Sequence, residues 1–120
     1  IQVSIAKDLE GGLFIPDSNF REATQQSLND INVMVKAGCS IRIIGCSHRS
    51  LAYIASGRAL VAISRSGRPW DLSPGSLVLQ EAGGMSTNED GEDWKQGSAE
   101  LVATNGFVHS KVLDLIRREQ

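Results

Sequence analysis

Gly67-Arg68-Pro69-Trp70-Asp71-Leu72-Ser73-Pro74-Gly75, with Gln80-Glu81-Ala82-Gly83-Gly84 after it, is the stretch on which the reading of this chain turns. Glycine and proline mark its start as a loop. The spacing predicts a helix over 71–82, with Pro74 in the first turn, where a missing N–H costs little. The glycine pair closes that helix. The loop thus delivers one aromatic ring, Trp70, and one carboxylate, Asp71, to the mouth of a helix. A carboxylate there can hold a metal ion, or it can cap the helix by accepting an orphan N–H. The two roles compete, because a capping carboxylate keeps one oxygen for a cation. One carboxylate is in any case too few for a metal site.

Working outward, residues 1–5 alternate apolar and polar, which predicts a strand. Residues 7–16 read as a loop, and Asp17 or Ser18 can cap a helix. In that helix Phe20, Ala23, Leu28, Ile31, Met34 and Val35 recur at helical spacing up to Gly38. A β-branched strand over 40–44 runs into Gly45-Cys46-Ser47, then a helix over 48–56 stopped by Gly57, then a strand over 59–64. Beyond the third helix come strands over 85–88 and 100–104, a turn at Asn88-Glu89-Asp90-Gly91, and a helix over 108–118 ending in Arg117 and Arg118. This alternation predicts an α/β fold: a mostly parallel or mixed sheet of about five strands flanked by helices.

The 120 residues, 41% hydrophobic and 22% charged, suffice for one domain with a core. A net charge of −2 makes no electrostatic case for nucleic acid or an anionic membrane as partner. There is no apolar run of the roughly 18 residues a membrane span needs, and no basic segment leading into an apolar one at the start. Cys39 and Cys46 read as free, reduced thiols of a cytoplasmic protein. With His48 and His109 they match no zinc spacing. The chain opens on Ile1, already inside an apparent strand, which suggests part of a larger protein.

Three places could carry chemistry. Gly45-Cys46-Ser47 lies between a buried strand and a helix, where unpaired N–H groups favour phosphate; the plain alternative is a turn with Ser47 as helix cap. Trp70-Asp71 is the second. The acidic run Glu89-Asp90-Gly91-Glu92-Asp93 lacks the ligand spacing of a calcium loop and reads as a solvated turn. His48 and His109 read as surface or partly buried side chains rather than bases.

Taken in order, these segments resemble the C-terminal half of the inositol monophosphatase family. Arg42-Ile43-Ile44-Gly45-Cys46-Ser47, Gly57-Arg58-Ala59, Trp70-Asp71-Leu72-Ser73-Pro74-Gly75, Glu81-Ala82-Gly83-Gly84 and Leu101-Val102-Ala103-Thr104-Asn105 follow the family pattern over residues 40–118. Residues 1–39 fit more loosely.

The resemblance implies a magnesium-dependent phosphomonoesterase acting on a small sugar or polyol phosphate through metal-activated water. It implies Asp71 as the catalytic metal ligand, and Gly45, Cys46, Ser47 and Ser64 as the substrate lining. It also implies a homodimer; the expectation of neither nucleic acid nor membrane as partner comes from the charge and the lack of an apolar run. Ser64 stands where inositol-specific members carry a glutamate that holds a ring hydroxyl, which argues against myo-inositol phosphate. Cys46 replaces a common threonine, and Leu72-Ser73-Pro74 replaces small residues. The family's remaining metal ligands come from a Gly-Glu-Glu segment and an Asp-x-x-Asp-Gly-Thr loop, and neither occurs in this sequence. The chain is therefore expected to be the C-terminal domain, with the N-terminal metal-binding half absent, and inactive alone. Two further readings are a fructose-bisphosphatase or bisphosphate-nucleotidase relative, and a non-catalytic binding module that keeps the fold.

Overall fold

A computed structural model describes residues 1–17, 24–45, 47–65, 69–94 and 100–118. Among them the chain forms β1 (Leu13–Ile15), α1 (Thr24–Lys36), β2 (Ser40–Ile41), α2 (Ser47–Ala55), β3 (Val61–Ser64), α3 (Pro69–Glu81), β4 (Met85–Thr87), β5 (Leu101–Thr104) and α4 (His109–Arg118). The five strands make one sheet in the order β2-β1-β3-β5-β4. β1 runs parallel to β2 and β3, with Phe14 opposite Val61 and Ile15 opposite Ala62. β5 is antiparallel to β3, pairing Leu101 with Ser64, and β4 is antiparallel to β5. The sheet is mixed, as the alternation predicts.

Alternation along the strands builds a core on each face. Phe14, Val61, Ile63 and Val102 face α1 and α4, meeting Val33, Met34, Val112 and Ile116. Ile15, Ala62, Leu101 and Ala103 face α2 and α3, meeting Leu51, Ile54 and Leu79. Small residues let those two helices approach: a Cβ on Gly75 of α3 would stand 2.6 Å from Leu51 Cδ1 of α2.

The glycine signals close the helices as expected. At each of the first three helix ends, one N–H reaches back five residues and the preceding one three. The pairs are Cys39 to Met34 with Gly38 to Val35, Arg58 to Tyr53 with Gly57 to Ile54, and Gly84 to Leu79 with Gly83 to Gln80. The two glycines of the last pair have different reasons. Gly83 has φ +94°, whereas a Cβ on Gly84 would fall 2.3 Å from Leu79 Cδ1 and 2.9 Å from the Thr104 carbonyl.

Three expectations are corrected. Residues 1–5 form no strand. Val3 is buried against the α2–α3 side, but its N–H donates to Ala82 O at 3.2 Å. Asn105 Nδ2 donates to Ser4 O and Ala6 O, both at 2.8 Å, so this segment straps the helix layer instead of joining the sheet. The first strand lies instead at Leu13–Ile15, inside the expected loop; it is short and buries both Phe14 and Ile15, so it shows no alternation. Finally, α3 begins at Pro69, which takes the favoured first position, and Pro74 falls inside the helix.

Candidate active site

The parallel strands β1, β2 and β3 all point their carboxyl ends at one edge of the sheet, and each leads into a helix. β5 enters the sheet at that edge, so the β4–β5 connection lies there too. Ligands of such sheets bind outside the carboxyl ends of the strands. There the first turns of helices present unpaired N–H groups and a partial positive charge.

Gly45 lies in the β2–α2 connection with φ +80°, and among the described residues nothing stands within 4 Å of the position its Cβ would take. Ser64, half-buried, ends β3. It follows the alternation of Ala62, so it shares the side of the sheet on which α2 and α3 begin. Asp71 is the third residue of α3 and therefore not its N-cap. Cys46 and the side chains of Ser47, His48, Trp70 and Asp71 lie outside the described residues.

Sequence reasoning missed Arg65, the residue after Ser64. Its side chain is 1% exposed and forms a fork on Asp30 of α1, with Nε to Oδ2 at 3.0 Å and Nη2 to Oδ1 at 2.9 Å. Nη1 donates to Glu89 Oε2 at 2.8 Å and to Glu100 Oε2 at 3.1 Å. The Arg65 backbone N–H donates to Asp17 Oδ2 at 2.8 Å. Asp17 thus serves the end of β3, beyond the capping role expected of it. Glu89 belongs to an ion pair rather than to a merely solvated turn. The turn itself forms as read: Asn88 Oδ1 accepts the N–H groups of Asp90 and Glu92, and Gly91 N–H bonds Asn88 O.

Burial opposes the Arg65 charge, yet the bonds and charges of Asp30, Glu89 and Glu100 hold its pKa above the ordinary value. Burial raises Asp30, against the pull of Arg65. The available signal was an arginine continuing the Val61–Ile63 face, matched by an acid, Asp30, on the buried face of α1.

His109 is buried, not at the surface. Its Nε2 lies 2.7 Å from Thr87 Oγ1 and its Nδ1 2.8 Å from Thr104 Oγ1. Burial lowers its pKa to about 4. The Cys39 thiol is free and buried, and donates to Leu9 O at 3.4 Å.

Among the described residues no group of three or more His, Cys, Asp or Glu side chains could hold a metal ion. Magnesium demands a near-octahedral set of oxygens. Asp71 is a donor of the right kind, but alone it does not make such a site. No described helix is long and apolar enough to cross a membrane.

The sequence pattern of the inositol monophosphatase family matches residues 2–120. A fructose-1,6-bisphosphatase/inositol-1-monophosphatase of Thermotoga maritima is 31% identical over 72% of this chain and 34% of its own length. The Nus factor SuhB of Salmonella typhimurium is 32% identical over 97% of this chain and 44% of its own. An inositol monophosphatase structure from Anabaena superposes with a TM-score of 0.89 at 27% identity, over 98% of this chain and 48% of that one. The chain spans less than half the length of these relatives. With its fold, its motifs and the family pattern in agreement, the chain belongs to the inositol monophosphatase family.

Proposed function

We propose that this chain is the C-terminal part of a magnesium-dependent phosphomonoesterase, cytoplasmic and homodimeric, that hydrolyses a small sugar or polyol phosphate. The observation that carries the reading is the convergence of Gly45, Ser64 and the first turn of α3, with Asp71, on one end of the sheet in a member of this family. The start of α2, at Ser47 after Gly45, would offer backbone N–H groups to a phosphate, with Cys46 between them in sequence. Ser64 offers a hydroxyl on the same side and can donate to, or accept from, a substrate hydroxyl. It lacks the charge of a carboxylate, so the proposed substrate is not myo-inositol phosphate. Asp71 would be one magnesium ligand, and the others would come from a preceding half. Bound magnesium would neutralise phosphoryl charge and activate water.

The test is hydrolysis by the protein carrying both halves, over inositol phosphate, fructose bisphosphate and adenosine bisphosphate. Asp71→Asn is expected to lower kcat/KM by about a hundredfold or more, the scale of a lost electrostatic contact to the reacting group. The 120-residue chain alone is expected to be inactive. Hydrolysis by the isolated chain, abolished by Asp71→Asn, would sink the split-site reading.

That the Salmonella relative is a Nus factor favours a second reading: a binding module that keeps the fold. No hydrolysis by the two-half protein across the panel would favour that reading.

A further inference from the structure

Along β3, Val61 and Ile63 face the α1–α4 core, and Arg65 takes the next position on that face. An apolar side chain there would extend the core. Replacing a buried ionic cluster by apolar residues is often neutral or stabilising, so stability alone does not account for a guanidinium in this place. A planar fork on a carboxylate gives direction, because both bonds must be made at once. The four acids that meet Arg65 come from the end of β1, from α1, from the β4–β5 turn and from the entry to β5. Apart from α1, these are the segments flanking β3 at its ligand-facing end.

We propose that Arg65 is a positioning residue for the phosphatase site: it fixes the end of β3 so that Ser64 and the start of α3, which carries Asp71, keep one placement relative to each other. The inference rests on the function proposed above. Arg65 contacts neither substrate nor metal; it acts through its neighbours.

The decisive variant is Arg65→Met combined with Asp30→Leu in the protein carrying both halves, which removes the buried pair together. A fold of unchanged circular dichroism is expected. Mn2+ binding, followed by electron paramagnetic resonance, and kcat/KM are each expected to fall roughly tenfold or more, the scale on which small misplacements of catalytic groups act. Unchanged Mn2+ affinity and unchanged kcat/KM in a folded variant would overturn the proposal. Should that variant not fold, Arg65→Lys, which keeps the charge and loses the fork, decides by the same two readouts. Asp71→Asn is measured alongside. If it abolishes Mn2+ binding while the Arg65 variants do not weaken it, only the positioning role falls. If Asp71→Asn binds Mn2+ normally, the metal reading falls and the positioning role with it.

Discussion

At the scale of single residues, the hydrogen-bond chain through His109 fixes the protons. Thr87 Oγ1 donates to Asn88 O at 2.7 Å, so it must accept from His109 Nε2–H. Nδ1 then accepts from the Thr104 hydroxyl. The neutral ring is satisfied at both nitrogens, and a proton on Nδ1 would reverse the Thr104 bond and place a charge in a buried site. With a folded pKa of about 4 against an ordinary 6.5, His109 takes up its proton more readily in the unfolded chain. Its contribution to stability is complete above pH 6.5 and is lost as the pH falls toward 4. Asp30, raised above 3.8, works in the opposite sense: its contribution is present below 3.8 and is lost as pH rises through its raised value. Urea titrations at pH 7 and pH 4.5 should therefore show a pH-dependent loss of about 2 kcal/mol that is absent from His109→Gln. An equal loss in that variant would place the titration elsewhere. None of this could be read from the sequence, since Thr87 and His109 are brought together only by the pairing of β4 with β5 and the packing of α4.

At the scale of elements, the sequence was most legible where backbone geometry demands a residue type. Gly38, Gly57 and Gly83 end their helices where the pattern placed those ends. The helix over 108–118 appears as His109–Arg118 because its apolar residues recur at helical spacing. Strands were harder to read. Leu13–Ile15 is too short and too buried to show a period, while the alternation in residues 1–5 reflects a strap with one buried side chain, Val3. Of the candidate site, the placement of Gly45, Ser64 and Asp71 at one end of the sheet was legible because single motifs carry it, whereas Arg65 draws its partners from distant segments. The two glycine types predict different costs. Gly84→Ala must displace Leu79 and meets the Thr104 carbonyl, and should destabilise by about 3 kcal/mol. Gly45→Ala meets nothing among the described residues and should cost only the left-handed strain, about 1 kcal/mol. Chemical denaturation of both variants checks the difference, and equal costs would refute the packing argument.

At the scale of the whole molecule, the two ends of the sheet differ in kind. Away from the ligand-facing edge, the α1–β2, α2–β3 and α3–β4 connections are tied by the paired backbone bonds at Gly38, Gly57 and Gly83. The strap of residues 1–7 crosses that far end, held by Ala82 and Asn105. Asn105→Ala should cost about 2 kcal/mol in urea denaturation through the loss of these bonds. It should also be non-additive with Val3→Ala, because both release the same strap. Strict additivity would show that the strap does not act as a unit.

This polarity has a consequence for how the protein can change. The carboxyl ends of β1, β2 and β3 and the start of β5 all lie at one edge of the sheet, while the helix closures and the strap secure the other. Substitutions can therefore accumulate at the first edge without drawing on the contacts that hold the frame together. Arg65 is an exception among the described residues: it stands at that edge yet ties α1 to the β4–β5 turn and to the entry of β5, so its loss would be felt in the frame.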